Sequence, residues 1–235
     1  SDSSGMICSG QQQFAIIPMD SSMLPTIKTL EEKENEPHQG KIIISPKGLK
    51  YTSTTDTTAE IQTQITDIEN WEYAEPVGLT HSLYIFGGGH VSVELSRIMN
   101  LLGFYVQVFD NRKKISTMEI NEFAHHKEII DFGKAGSFVP NGNKNYVVIM
   151  TVGHLHDLEV LEQMVNKNIR YLGMMGSKSK VHTIHKLLND KGFSDEQINK
   201  IQMPIGEPIF SQTPIEIAIS IGAQIIKEKN KPNHS

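Results

Sequence analysis

A single cysteine, Cys8, stands among the 235 residues, and no charged-then-apolar secretory leader precedes it. No disulfide can close within such a chain, so a reducing cytoplasm is the expected compartment and the lone thiol is free to react. Basic charge is also scarce. Lys and Arg number 22 against 27 Asp and Glu, a formal net charge of -5, which leaves no basic field to neutralise phosphates along a duplex and excludes sequence-wide nucleic-acid binding. Long apolar runs are missing as well: the longest strongly apolar stretch, residues 146–150, is far short of the ~18 residues of a spanning helix, so no membrane partner is expected. An initiator methionine is absent too. The chain opens at Ser1 in a polar run rich in Ser and Gly, and the expectation is that something upstream was removed or is unseen.

The length permits one large domain, or an ordinary domain with a smaller companion. Residues 1–80 are irregular: 14–17 and 41–45 read as short strands, separated by Ser22-Met23-Leu24-Pro25 and the charged run 31–36. The threonine-rich run 52–58 reads as linker or edge strand. From Leu83 the character changes, because short apolar runs alternate with segments of helical period, the signature of stacked βαβ units. Residues 83–86 form a strand that breaks at three glycines. Val91, Leu95, Ile98, Met99 and Leu102 then recur at helical spacing until Gly103. Strands follow at 105–109, 146–150 and 169–172, with the apolar stripe of a helix over 158–165. Ser194 with Gln197, and Thr213-Pro214-Ile215-Glu216, carry the capping-box chemistry of two helix starts. Buried parallel strands read as continuous apolar runs, so the expected fold over 81–230 is α/β, a Rossmann-like doubly wound parallel sheet, whereas no compact core is evident over 1–80.

Gly87-Gly88-Gly89-His90-Val91-Ser92 follows a strand and opens a helix, giving G-x-G-x-x-S, a dinucleotide fingerprint with serine in place of the third glycine. The first glycine permits the tight turn. The second lets a pyrophosphate or a pterin phosphate approach free N–H groups and the positive end of a helix dipole. Asp110 ends the next strand, where the fingerprint places an acid to accept hydrogen bonds from a ribose hydroxyl. The competing reading is a strand-to-helix turn that needs glycine for geometry alone. Gly176, Ser177 and Lys178, within Gly173-Met174-Met175-Gly176-Ser177-Lys178-Ser179-Lys180, repeat the arrangement and read equally as a second anion cradle or as a helix cap with solvated lysines. His154, His156 and Asp157 follow another strand. No third metal ligand is placed by the sequence, and the favoured reading has Asp157 capping the next helix. His182 and His185 read as helical surface residues.

Five ordered blocks resemble the xanthine dehydrogenase accessory factor (XdhC/CoxI) family. They are residues 83–91, then Asp110-Asn111-Arg112, then Met150-Thr151 with 154–161, then 171–173 with Gly176-Ser177-Lys178, and finally Met203-Pro204-Ile205-Gly206 with 213–221. The resemblance implies an accessory protein that holds the molybdenum cofactor (molybdopterin), supports its sulfuration and passes it to the apo-enzyme of a molybdenum hydroxylase; a cofactor chaperone is implied more than a turnover enzyme. It also implies a homodimer, with a cysteine desulfurase as a further partner. Gly5-Met6-Ile7-Cys8-Ser9-Gly10 resembles the Cys-Gly-Gly segment that ends the family's N-terminal domain, with Ser9 replacing the first glycine, so the resemblance implies that residues 1–80 are a partial, smaller α+β N-terminal domain of XdhC/CoxI type and a linker, preceding the Rossmann-like domain. Cys8 is then a contact for molybdenum or sulfur, against the alternative of an inert packed residue. Glu207-Pro208 departs from the family's usual continuation. An NAD(P)-binding oxidoreductase, and a structural partner with a vestigial nucleotide turn, stand as alternatives.

Overall fold

The computed structural model describes residues 14, 16–54, 61–67 and 69–231. The N-terminal part carries helix α1 (Leu24–Lys33) and four strands, β1 (Gly40–Ser45), β2 (Gly48–Ser53), β3 (Gln62–Ile65) and β4 (Trp71–Val77). They form an antiparallel sheet in the order β2-β1-β4-β3. Strand β1 matches the expected strand over 41–45; of the run 52–58, read as linker or edge strand, Thr52 and Ser53 lie on β2 at the edge of the sheet, and 55–58 lie outside the described residues. The expected strand over 14–17 is not formed at residues 14, 16 and 17. Phe14 and Ile16 are exposed, so neither has a neighbouring strand or a core to hold it extended.

The C-terminal part alternates strand and helix. It runs β5 (His81–Phe86), α2 (His90–Leu101), β6 (Phe104–Asp110), α3 (Ser116–Glu119), β7 (His126–Ile129), α4 (Ala135–Phe138), β8 (Gly142–Ile149), α5 (His154–Met164), β9 (Ile169–Met174), α6 (Lys178–Asp190), α7 (Asp195–Ile198) and α8 (Pro214–Lys229). The five strands are parallel in the order β7-β6-β5-β8-β9. The chain therefore moves outward from β5 in one direction, then returns to build on its other side. Between β5 and β8 lies the point of reversal, where the loops leaving the carboxyl ends of the strands part to opposite faces.

Side-chain parity explains why both faces are covered. Leu83, Ile85, Val106, Val108, Tyr146 and Val148 point to one face and pack with Leu95 and Met99 of α2 and with Ala218, Ile221 and Ile225 of α8. Tyr84, Phe86, Phe109, Val147, Ile149 and Leu172 point to the other and pack with Leu158, Leu161 and Met164 of α5 and with Ile184 and Leu188 of α6. With neither face of β5, β6 and β8 left to water where they pair, these central strands are largely apolar at consecutive positions rather than alternate ones. Helix ends follow the sequence signals: Gly103, at φ 74°, stops α2, and both capping boxes form, at Ser194 with Gln197 and at Thr213 with Glu216. Past α7, Gln202 donates to the Leu172 carbonyl (2.8 Å), and the amides of Met174 and Ile205 bond to the carbonyls of Gln202 and Met174 (3.0 Å each). The 202–205 segment thus lies parallel along β9. Among the described residues no helix is long and apolar enough to cross a membrane.

Candidate functional site

At the end of β5 the three glycines do different work. Gly87 has φ 117°, donates its N–H to the Phe109 carbonyl (2.7 Å), and a Cβ there would lie 2.3 Å from the Met150 carbonyl oxygen. It threads the chain between the ends of β6 and β8, which only glycine can do. Gly88 is buried against Met118. Its N–H donates to Asp110 Oδ2 (2.8 Å), and its carbonyl accepts the hydroxyl of Thr117. Gly89 is the N-cap of α2, and a Cβ added there would meet no atom within 4 Å. That open space, at the positive end of a twelve-residue helix with no side chain capping it, is what an approaching anion requires. His90 is exposed and Val91 half-buried, whereas Ser92 is fully buried with the sheet-facing residues of α2, its Oγ unpartnered among the described residues. The small side chain lets the helix lie close to the sheet, as a third glycine would.

The loop after β8 builds the opposite rim. Gly153, φ 95°, is the N-cap of α5, no side chain caps it, and a Cβ there also meets nothing within 4 Å. Thr151 donates both its N–H (3.0 Å) and its hydroxyl (2.7 Å) to Asp157 Oδ1. Asp157 is fully buried, with the ammonium of Lys180 as counter-charge at Oδ2. The expected cap at Asp157 is therefore corrected: the residue lies inside the first turn, and its carboxylate reaches back to Thr151 instead of to the α5 terminus. Among the described residues no group of three or more His, Cys, Asp or Glu side chains gathers as metal ligands. His156 meets Asn111 (3.2 Å) and Glu159 (3.3 Å) and packs edge-on against Phe132.

Asp110 is placed as the fingerprint expects, beside the glycine turn, yet its carboxylate is already engaged. Oδ1 accepts from the N–H (3.0 Å) and Nε (2.9 Å) of Arg112, and Oδ2 from Arg112 Nη2 (2.8 Å) besides Gly88. Burial alone would raise its pKa. The bonds from Arg112 and Gly88 outweigh that and hold the carboxyl below its ordinary value. The same pairing pushes the guanidinium of Arg112 up. Gly87 to Val91, Asp110, Arg112 and Thr151 thus lie at the carboxyl ends of β5, β6 and β8, where the reversal of strand order opens a crevice, with Gly153 beside them as a wall that the sequence reading lacked, whereas Ser92 is turned into the core and not toward the crevice. A second glycine at a strand-to-helix turn, in Thr151-Val152-Gly153-His154, was the available signal.

Gly176, Ser177 and Lys178 lie farther along the same sheet edge, past β9. Ser177 caps α6 by accepting the Lys180 N–H (3.3 Å), Gly176 lies against the Lys180 side chain, and Lys178 is exposed. Their tie to the crevice is Lys180, which reaches both Asp157 and the Met175 carbonyl (3.2 Å). Cys8 lies outside the described residues.

The family model of the XdhC Rossmann domain matches residues 83–225. The chain is similar to the uncharacterized protein YqeB of Escherichia coli, 32% identical over 168 residues, covering 67% of this chain and 30% of that protein. It is also similar to a probable xanthine dehydrogenase subunit of Bacillus subtilis, 26% identical over 154 residues, covering 63% of this chain and 43% of that protein. The chain therefore spans less than half the length of either relative. A crystal structure of a xanthine dehydrogenase from Bacillus halodurans shares the fold, with a TM-score of 0.66 at 24% identity over 92% of this chain and 67% of that one.

Proposed function

Because the chain belongs to the XdhC family, whose Rossmann domain it carries over residues 83–225, we propose that it is an accessory factor that binds the molybdenum cofactor, supports its sulfuration and passes it to a xanthine dehydrogenase-type apo-hydroxylase. The observation that carries this reading is the pair of open helix N-caps, Gly89 and Gly153, at the reversal point of the sheet. That geometry supports phosphate binding. Each glycine leaves room where a side chain would stand, and the first-turn N–H groups of α2 and α5 have no capping side chain. Gly89, His90 and Val91 would hold a pterin phosphate through the backbone, with Thr151 and Gly153 forming the facing rim. When bound, the molybdenum centre would supply the oxo and sulfido chemistry, and the residues of this chain would bind, orient and shield it. Cys8, a thiol suited to soft metals and to persulfide chemistry, is assigned the sulfur contact.

In the same reading the factor acts as a homodimer that meets a cysteine desulfurase and the apo-hydroxylase in turn. Anaerobic incubation with cofactor released from a molybdoenzyme, followed by native mass spectrometry, should show a retained pterin, and the loaded protein should activate an apo-hydroxylase. Cys8→Ser should bind the pterin yet lose activation with little change in melting temperature. Absence of both retention and activation by the parent would reject the reading. A nicotinamide dinucleotide retained in place of the pterin would select the alternative that the glycine turn and Arg112 also suit.

A further inference from the structure

We infer that the ligand end lying over the tip of β6 is read by Arg112 as a phosphomonoester and not by Asp110 as a ribose diol. This rests on the crevice reading above and specifies the chemistry of its ligand. A carboxylate offers about four lone-pair directions, and Asp110 has filled them: two with main-chain N–H groups of Gly88 and Arg112, two with the Arg112 guanidinium. Its side chain is 2% exposed. A ribose hydroxyl would have to displace one of these donors. Turning the carboxylate aside would strand the buried Gly88 N–H, and removing Arg112 would strand the charge itself.

Arg112 is built the other way. The Nε hydrogen and one of the two on Nη2 go to Asp110, which fixes the plane of the guanidinium, while both Nη1 hydrogens and the second on Nη2 have no hydrogen-bond partner among the described residues and the side chain is 43% exposed. An always-charged planar donor set, oriented in advance and facing water, matches the paired oxygens of a phosphate. Lys113 and Lys114 follow at once and are exposed. Two ligands share this chemistry: a nicotinamide dinucleotide with a 2′-phosphate, and a pterin whose single phosphate would meet the N-cap of α2 on one side and Arg112 on the other.

Titrations of the full chain with two matched pairs test the inference. One pair is NADPH and NADH. The other is molybdenum cofactor released anaerobically from a molybdoenzyme, before and after phosphatase treatment. Within whichever pair binds, the phosphorylated member should bind about tenfold or more tightly, the scale of one good charge-assisted contact. Arg112→Ala should erase that preference, and Arg112→Lys, which keeps charge but not the fork, should restore part of it. If the pterin keeps its full phosphate preference in Arg112→Ala, the role of Arg112 is overturned while the pterin reading stands; equal binding of the parent with and without phosphate overturns both. A preference seen only within the nicotinamide pair upholds Arg112 and rejects the pterin. Binding of neither pair rejects both. If Arg112→Ala fails to fold, Arg112→Lys decides the matter: an undiminished preference there would return the phosphate to the N-cap of α2 alone.

Discussion

The carboxylate of Asp110 accepts the main-chain N–H of Gly88 at 2.8 Å, so the acid at the end of β6 and the glycine turn at the end of β5 form one hydrogen-bonded unit. With Arg112 added, that unit holds the carboxyl below its ordinary pKa despite burial. The unfolded chain, with a reference of ~3.9, takes up the proton first. Stability from this group is thus complete above that reference and is lost as pH falls through the folded value. Asp110→Asn should be less stable than the parent at neutral pH and should lose less on acidification. Urea midpoints from about pH 6 to pH 3 check this, and parallel curves for the two proteins would refute it.

Gly87 and Gly89, two residues apart, should respond in opposite ways. Gly87→Ala places a Cβ against the Met150 carbonyl at a φ of 117°, and the backbone strain alone costs about 1–3 kcal/mol. Gly89→Val meets no protein atom within 4 Å and keeps an ordinary φ of −79°, so its stability cost is about 0.5–1 kcal/mol, that of a poorer cap. Its effect should fall on the ligand, because the side chain fills the space a phosphate needs. Thermal melts combined with ligand retention by native mass spectrometry distinguish the two. Unchanged retention by Gly89→Val would remove the phosphate from this turn.

These differences show what local pattern can and cannot carry. β5, α2 and β6 were legible because two-sided burial makes continuous apolar runs and a helix stripe, both local in sequence. β7, with the sequence His-Lys-Glu-Ile, was not. It is an edge strand with one neighbour, and Lys127, Glu128 and Ile129 are exposed, so no apolar run marks it. α1 escaped for a similar reason, since none of its residues is buried. At the site the fingerprint gave the position of Asp110 but not its occupancy. The donors that fill it come from a different strand end and from a side chain two residues on. Asp157 looked like a cap because acids favour first turns; the partner it chose, Thr151, depends on how the loop after β8 folds back.

His81, at the start of β5, should stay neutral well below its ordinary range. Its ring packs against Phe104 and Tyr146, and burial, with the nearby charges of Lys229, Lys144 and Arg170, lowers its pKa to about 4. In the unfolded chain the value returns to about 6.5. Between these values the unfolded state binds more protons, so stability is lost as pH falls from the upper toward the lower. A proton titration followed by NMR should show the His81 ring protonating near the lower value, and His81→Phe should weaken the pH dependence over that window. A midpoint near the ordinary histidine value would show the ring to be solvated.

Lys180 and Asp157 should show strong coupling, because the carboxylate is fully buried and the ammonium is its counter-charge across two helices. Removing the partner of a buried charge costs about 3–5 kcal/mol. Lys180→Met should fall somewhat short of that, since the lysine side chain is 24% exposed and water can enter beside it. Asp157→Asn in the same protein removes the stranded charge while its side-chain oxygen still accepts from the Thr151 N–H and hydroxyl, so it should recover much of the loss. A double-mutant cycle by urea denaturation reads the coupling, and additive effects would mean that the pair contributes nothing. The consequence for the crevice follows from Thr151. Its N–H and hydroxyl both end on Asp157, and the chain turns into Gly153 two residues later, so Asp157→Leu should lower hydrogen-exchange protection at the Thr151 amide and loosen the rim that faces Gly89.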